Sequence, residues 1–231
     1  MTDLSADLLA LVTTLKMAAI TTVILLLLGT PMAWYLAKWQ SRFKVFFEAI
    51  VALPLVLPPT VLGFYLLLAF SPTSLPGELW QSATGSQLAF SFSAIVIGSV
   101  LYSLPFVVQP LQKAFEQLGD QHLEAAAMLG AGPIDRFFSI VFPLTKASFI
   151  TATVLGFAHT VGEFGVVLMI GGNIPGETRV LSIALFDHVE AFNYANAHLL
   201  SAGLLIASLL LLSFVYLLGN NFTSKQKDLA K

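Results

Sequence analysis

Two polar groups interrupt an otherwise apolar chain, and they are the candidates for function. The first runs from Glu124 to Gly130 and contains a glutamate, three alanines and a final glycine, in the longest gap between two apolar runs. The second is the tetrapeptide Gly-Glu-Phe-Gly around Glu163, with His159 four residues earlier. A carboxylate and an imidazole can move protons, whereas small residues beside a glutamate suit contact with another protein.

The first group is predicted to belong to a helix outside the membrane, over about residues 120–130. Helix-forming residues fill this stretch, Asp120 is suited to cap its start, and Gly130 is suited to end it. The alanines leave a low, smooth face over which a groove of another protein can close. The residues predicted to make this contact are Glu124, Ala125, Ala126 and Gly130.

The second group is predicted to lie at membrane depth. Glu163 follows Lys146 by about 17 residues, which is ~25 Å along a helix at ~1.5 Å per residue. A carboxylate inside the hydrocarbon is costly and faces protein or water. His159 is one turn earlier on the same face, and Arg179 lies in the loop that follows. Glu163 is therefore either a gate or path residue, or a structural anchor held by hydrogen bonds.

The sequence offers no basis for an enzyme. No G-x-x-x-x-G-K-[ST] loop occurs, so ATP is not bound by that route. The chain has no cysteine, which excludes thiolate metal sites and cysteine nucleophiles, and its four histidines are scattered. A net charge of −2 leaves no basic stripe for nucleic acid. We expect no catalytic centre, no cofactor, no metal site and no nucleic-acid partner.

Composition predicts an all-α integral membrane protein with one domain over residues 1–231. Hydrophobic residues make up 57% of the chain and charged residues 10%, against about 25% charged in a soluble domain. A span needs ~20 apolar residues, and five runs qualify. They are approximately residues 8–37, 46–70, 88–111, 146–170 and 197–218.

The connecting segments are predicted from their polar and turn-forming residues. Residues 71–87 contain prolines and glycines but no Lys or Arg, so they are predicted to be an external loop. Residues 180–195 mix apolar and charged side chains, which favours a short interfacial or half-inserted helix. Pro54, Pro58 and Pro59 should kink the second run, which should then face protein, because the carbonyls they free need partners.

Charge predicts the orientation. Nine of the 11 Lys and Arg residues fall on one side of the membrane if there are five spans, and the positive-inside rule makes that side cytoplasmic. The N-terminus is then periplasmic, and the C-terminus and the 120–130 helix are cytoplasmic. The nine cations are Lys38, Arg42, Lys44, Lys113, Arg136, Lys146, Lys225, Lys227 and Lys231.

The first polar group belongs to a longer pattern. Glu-Ala-Ala begins at Glu124, Gly130 follows after three residues, and nine more residues lead to Ile140-Val141-Phe142-Pro143. This resembles the E-A-A-(three)-G-(nine)-I-x-L-P pattern of ABC importer permeases, with Phe142 where that family usually has leucine. The resemblance implies a cytoplasmic coupling helix that sits in a cleft of the ATPase subunit.

Three further stretches extend the resemblance over nearly the whole chain, from Leu11 to Leu218. They are residues 53–59, 162–165 and 173–179, and with the coupling pattern they resemble the permease subunits of bacterial molybdate ABC transporters. The resemblance implies a type I importer permease in the cell inner membrane, surrounded by lipid. It also implies a homodimer, a cytoplasmic dimer of ATP-binding subunits that hydrolyse ATP, and a periplasmic molybdate-binding protein.

Alternatives remain open at this point. Sulfate, thiosulfate and other oxyanion permeases share much of the pattern, and tungstate resembles molybdate. A secondary transporter is an alternative from another class, although it would show paired halves with broken helices. The chain also departs from the family at His159, where arginine is common, so a role that needs a permanent cation there is unsupported.

For Glu163 the anion path favours the anchor interpretation. An unpaired carboxylate at ~6 Å from a divalent oxyanion would cost about 5–6 kcal/mol at an effective dielectric constant of about 20. Glu163 is therefore expected to accept hydrogen bonds, with His159 and Arg179 as the available partners. On this argument Glu163→Gln keeps the fold, whereas Glu163→Leu lowers the amount of assembled permease.

Overall fold

The computed structural model describes residues 3–229, which fold almost entirely into helices and contain no β-strand. Lys231, one of the nine cations above, lies outside the described residues. Short 3₁₀ and π segments occupy Leu53–Leu55 and Phe137–Val141. The α-helices are α1 (Asp3–Lys38), α2 (Lys44–Ala52), α3 (Pro59–Phe70), α4 (Leu75–Thr84), α5 (Phe92–Leu118), α6 (Gln121–Met128), α7 (Pro133–Arg136), α8 (Phe142–Val161), α9 (Gly165–Gly171), α10 (Leu181–Glu190) and α11 (Tyr194–Leu229).

Four helical segments in the described chain are long and apolar enough to cross a membrane, and a fifth forms if α2 and α3 count as one broken span. This confirms the predicted all-α membrane architecture. The predicted runs at 8–37, 88–111 and 197–218 correspond to α1, α5 and α11. The four segments are Leu4–Lys38, Phe92–Leu118, Pro133–Val161 and Tyr194–Ser213.

The core forms where α1 lies along α5, with α8 against both. Gly29 of α1 permits this contact, because a Cβ there would lie 3.1 Å from the Val107 side chain. Toward the end of α1, Trp34 meets Phe115 edge to face at 5.3 Å between ring centroids. Pro31 lies inside α1 without ending it, which membrane helices tolerate when neighbouring protein covers the freed carbonyl.

The fourth predicted span, 146–170, is placed wrongly by the sequence. The observed helix begins at Pro133, continues through the π segment and α8, and ends at Val161. Proline favours the first turn of a helix because it has no N–H to donate, which explains the early start. Gly162 closes α8, and the short helix α9 begins at Gly165.

The second predicted span is broken, as its prolines indicate. The helix over residues 44–55 and α3 meet at 105°. Within this chain the bend is largely uncovered, since Val56 is 83% exposed and Leu53 and Leu55 are half exposed, so the expectation that this run faces protein stays a prediction. Only α3 is well packed: Gly165 of α9 lies against Pro59, and Met169 lies against Gly63.

The predicted loop over 71–87 contains a helix, α4. Ser74 caps its start by accepting a hydrogen bond from the Gly77 N–H at 3.1 Å, and Gly85 ends it with a left-handed φ of 73°. Of the residues that indicated a loop, Pro76 and Gly77 lie in the first turn of this helix and Gly85 ends it. In the sequence, Ser74 followed by Pro76 and Glu78 is the pattern that indicates the start of this helix.

The helix predicted within 180–195 is present as α10, and it packs against α1 and α11. Its polar residues have partners in the fold. His188 lies 3.0 Å from Asp7 of α1, and the Thr14 hydroxyl accepts a hydrogen bond from the Leu181 N–H at 2.7 Å. These contacts hold both the start and the last turn of α10 against the first half of α1.

Candidate functional site

The helix α6 ends at a glycine whose backbone only glycine adopts without strain. Gly130 has a φ of +86°, and its N–H donates to Ala127 O at 3.0 Å. The N–H of Ala131 donates to Ala126 O at 3.0 Å. This pair of bonds is the Schellman arrangement, which satisfies the last carbonyls of a helix. Gly130 therefore ends α6 as predicted.

Asp120 does not cap α6, which corrects the sequence prediction. Its φ of −100° and ψ of −18° are helical, and its side chain makes no cap hydrogen bond. The carboxylate is instead paired with the Lys38 ammonium at the end of α1. Lys38 also lies over the Trp34 ring, 5.2 Å from its centroid. At Asp120 the ion pair with Lys38 takes the place of a capping hydrogen bond, and it holds the start of α6 against the end of α1.

One side of α6 is buried and the other is open. Leu123 enters the core beside Trp34 and Phe115, whereas Glu124 and Ala125 are exposed. Four large apolar side chains in the stretch 128–138, at the end of α6 and in the first turns after it, are also exposed, and we call them the inner patch. They are Met128 (89% exposed), Leu129 (89%), Ile134 (74%) and Phe138 (65%).

The inner patch is more apolar than the sequence argument expected. That argument rested on alanines, and it missed the adjacent Met128 and Leu129 at the end of α6 and the first turns after Pro133. Contiguous exposed apolar groups beside polar ones mark a surface that another protein or a membrane covers. The sequence does indicate this surface, because Met128 and Leu129 stand directly before Gly130, which ends the helix.

A second polar network holds α2 to α5 near the same end of the molecule. Lys44 pairs with Glu116 at 2.7 Å. Gln112 donates from Nε2 to Glu48 at 2.5 Å and to Glu116 at 3.0 Å. The first half of the broken span, α2, is thus fixed to α5, the helix that leads into α6.

The structure does not bring together the second predicted group. Glu163 lies in the break after α8, so it does not share a helix face with His159. Nδ1 of His159 is hydrogen-bonded to the Ser103 hydroxyl at 2.8 Å, and Arg179 is paired with Asp187 at 2.9 Å. Both predicted partners of Glu163 are therefore engaged elsewhere.

Glu163 is 3% exposed, and neither carboxyl oxygen has a hydrogen-bond partner among residues 3–229. Ser99 is the nearest hydroxyl to this carboxyl, and its Oγ also lies 3.7 Å from the Met17 sulfur, so it can donate to only one of these acceptors. Glu163 is held through its main chain and not through its side chain, because the Ser182 hydroxyl of α10 donates to the Glu163 carbonyl at 2.6 Å. The expected hydrogen bonds to the carboxylate are absent from the described residues.

Sequence reasoning missed the hydroxyl residues around this break. Ser103 bonds both His159 and Thr160, at 2.8 and 3.1 Å, and Phe106 stacks on His159 with centroids 3.9 Å apart. Single serines in apolar helices carry no periodic signal, so only the fold reveals their grouping. Within residues 3–229, no three His, Asp or Glu side chains are grouped closely enough to hold a metal ion.

Comparison with known proteins gives one family and several relatives. The family described as "Binding-protein-dependent transport system inner membrane component" matches residues 25–228. The molybdenum transport system permease protein ModB of Azotobacter vinelandii is 57% identical over 210 residues, which cover 91% of this chain and 93% of that protein. The sulfate transport system permease protein CysT of Escherichia coli K12 is 33% identical, over 84% of this chain and 70% of that protein.

Among solved structures, the chain is similar to one from a bacterial alginate ABC transporter in complex with an alginate pentasaccharide-bound periplasmic protein. The TM-score is 0.73 over 94% of this chain and 79% of that one, at 14% identity. At this identity the likeness shows the fold alone.

Proposed function

This chain belongs to the inner membrane components of binding-protein-dependent transport systems, and on that premise we propose that it is the permease subunit of an ATP-driven importer of molybdate. The oxyanion, and tungstate with it, passes from the periplasm to the cytoplasm. The observation that carries the proposal is the 57% identity to a molybdenum permease over nearly the full length of both chains. The helices that can span a membrane supply the translocation unit.

Sulfate is the second candidate substrate. Several sulfate permeases match this chain, and the Escherichia coli protein does so at 33% identity. The much higher identity to the molybdenum permease favours molybdate. Sulfate, molybdate and tungstate are all divalent tetrahedral oxyanions, so charge alone does not separate them.

Cells that lack this permease are expected to lose high-affinity molybdate uptake. Tungstate should compete with molybdate in wild-type cells, since it has the same charge and nearly the same size, whereas sulfate should not. Uptake of labelled molybdate at submicromolar concentration, with and without each competitor, measures this. The wild-type gene on a plasmid should restore uptake. Unchanged molybdate uptake together with lost sulfate uptake would assign the chain to sulfate.

The partners follow from the same premise. We infer that a dimer of ATP-binding subunits hydrolyses ATP and docks on α6 through Glu124, Ala125, Ala126 and Gly130, with the inner patch beside them. The chain itself is a translocation subunit. It is inferred to form a homodimer surrounded by lipid and to receive molybdate from a periplasmic binding protein. A secondary transporter, in contrast, would not co-purify with an ATP-binding subunit.

The proposed location is the cell inner membrane, with the N-terminus periplasmic and the C-terminus cytoplasmic. Support comes from the grouping of cations near α6: Lys38 pairs with Asp120 directly before α6, and Lys44 pairs with Glu116 at the end of α5. Both lysines belong to the side that the positive-inside rule makes cytoplasmic.

Orientation can be tested with single cysteines, because the chain has none of its own. Glu78 of α4 and Glu177 of the loop before α10 are exposed, as is Gln40 between α1 and α2. An impermeant thiol reagent on intact spheroplasts should label the Glu78→Cys and Glu177→Cys variants. The Gln40→Cys variant should react only after the membrane is opened. The opposite labelling pattern would reverse the orientation.

A further inference from the structure

One side of α5 carries polar side chains along the half of the helix that leads to α6. Tyr102, Phe106, Gln109 and Lys113 follow one another at intervals of four, three and four residues, which places them in one line along a helix. The first three are half-buried and Lys113 is exposed. The rest of the described chain therefore leaves this line partly uncovered, and we call it the polar face of α5.

The polar groups of this face have no partners in the part of the chain that the structure describes. The Tyr102 hydroxyl and the Gln109 amide make no hydrogen bond there, and Lys113 belongs to none of the ion pairs. None of these polar atoms is among the buried ones, so a ligand can reach them. Unpaired polar groups turned to lipid are costly, and such a face therefore turns to protein or to a water-filled path.

His159 of α8 widens the polar face of α5. Its ring stacks on Phe106 with centroids 3.9 Å apart and lies 4.9 Å from the Tyr102 ring. The Ser103 hydroxyl is hydrogen-bonded to Nδ1 at 2.8 Å, which fixes the ring and leaves Nε2 without a partner among residues 3–229. Because the Ser103 hydroxyl can donate to Nδ1, Nε2 can carry the proton and donate to a ligand.

The polar face of α5 is closed at one end and open at the other. Ile95 and Gly98, on the preceding turns of α5, are buried. The short helix α9 covers them, since a Cβ at Gly98 would lie 3.3 Å from the Val166 side chain. The residues from Tyr102 to Lys113 are not buried in this way. The face is thus blocked at the end away from α6 and accessible toward α6, which is the form of a transport path in an inward-open state.

We propose that the transported oxyanion moves along the polar face of α5. Tyr102, His159 and Gln109 are its successive hydrogen-bond contacts, and Lys113 is the cation at the inner end. The inference rests on the proposed function and names the residues of its path. The 11 residues from Tyr102 to Lys113 cover ~16 Å at ~1.5 Å per residue, which is about half of the ~30 Å hydrocarbon layer.

The chemistry of this face suits a divalent oxyanion. Hydroxyl, imidazole and amide groups donate hydrogen bonds to oxygen atoms, and the Lys113 ammonium adds a complementary charge. Neutral donors in a row also bind weakly enough to release the ion from one contact to the next. No carboxylate opposes it from either end of the row. Glu163 is 3% exposed, and Glu116 is paired with Lys44 at 2.7 Å.

The first test measures access to the polar face with single cysteines, in the complex with the ATP-binding subunit in lipid nanodiscs. Gln109→Cys should react with a negatively charged methanethiosulfonate at least about tenfold faster than Leu27→Cys, since a thiol ionises in water and not in lipid. Leu27 is a control at matched depth: it is 68% exposed on α1, and Gly29 of the same helix lies against Val107. Millimolar molybdate or tungstate should slow the reaction of Gln109→Cys.

The second test removes single donors. Tyr102→Phe and Gln109→Leu should each lower the number of anions carried per ATP hydrolysed by at least about threefold, because one hydrogen bond to the anion is lost. The measurement uses proteoliposomes that contain the ATP-binding subunit and the binding protein. ATP hydrolysis and the melting temperature should stay near wild type, which separates a contact from a structural role. Tyr65→Phe removes an exposed hydroxyl from α3 and should carry anions as wild type does.

Two results of the labelling test would overturn the inference. Equal reaction rates of Gln109→Cys and Leu27→Cys would show that lipid or a second copy of the chain covers the polar face. Fast reaction of Gln109→Cys that molybdate, tungstate and sulfate all fail to slow would show that water enters but the anion does not. Protection by sulfate alone would support the path along α5 and overturn molybdate as the substrate in the proposed function.

Discussion

Replacing Gly130 by leucine is expected to abolish molybdate transport while the permease still inserts in the membrane. The φ of +86° at this position costs a residue with a Cβ about 1–2 kcal/mol, so the end of α6 should rearrange. No atom lies within 4 Å of a Cβ added there. The new side chain would therefore project from the surface on which we propose that the ATP-binding subunit docks. Uptake in proteoliposomes and transport-coupled ATP hydrolysis measure the effect.

The matched control is Gly85→Leu. Gly85 ends α4 with a φ of +73° and is equally free of neighbours, so it carries the same backbone penalty away from α6. It should lower stability slightly and leave transport intact. Glu124→Ala should have a smaller effect than Gly130→Leu, because it removes one exposed side chain and leaves the backbone unchanged. Wild-type transport and ATPase binding by Gly130→Leu would contradict the assignment of α6 as the coupling helix.

The sequence predicted well those features that depend on composition and on single backbone-determining residues. Apolar run length located α1, α5 and α11, since a span needs only enough hydrocarbon to cross the bilayer. Gly130 and the prolines near residue 58 marked a helix end and a break, because each residue type restricts the backbone in a known way. The long helix from Pro133 was misplaced, because Asp135, Arg136 and Lys146 resembled a polar connector.

The contacts of individual side chains were beyond the sequence argument. Asp120 had two plausible partners, the start of its own helix and a cation, and only the position of Lys38 at the end of α1 decides between them. His159 and Glu163 were assigned to one face because the helix was assumed to continue, whereas Gly162 ends it. Arg136 counted only as a topological charge, whereas the fold places it beside the apolar side chains of Leu123 and Phe137.

Replacing Glu163 by leucine is expected to stabilise the permease, the reverse of the result that the sequence argument predicts. That argument required hydrogen bonds to the carboxylate, and neither oxygen has a partner in the part of the chain that the structure describes. An unpaired buried polar group costs about 1–3 kcal/mol, and an apolar side chain of similar size removes this cost. Even if the Ser99 hydroxyl turned to donate, one oxygen would stay unpaired. The melting temperature of purified Glu163→Leu should rise by several degrees, at roughly 2–4 °C per kcal/mol.

Three further variants show whether the carboxyl itself is the cause. Glu163→Gln should gain little, because an amide in the same site still lacks partners. Glu177→Leu removes an exposed carboxylate from the loop before α10 and should leave the melting temperature unchanged. Ser182→Ala should lower the stability by about 1 kcal/mol, since it deletes the hydrogen bond to the Glu163 carbonyl.

A lower melting temperature for Glu163→Leu would show that a partner outside this chain holds the carboxylate. Reduced transport by a stabilised Glu163→Leu would show instead that the unpaired carboxyl is retained for function, because a buried group that opposes folding needs another reason to be kept.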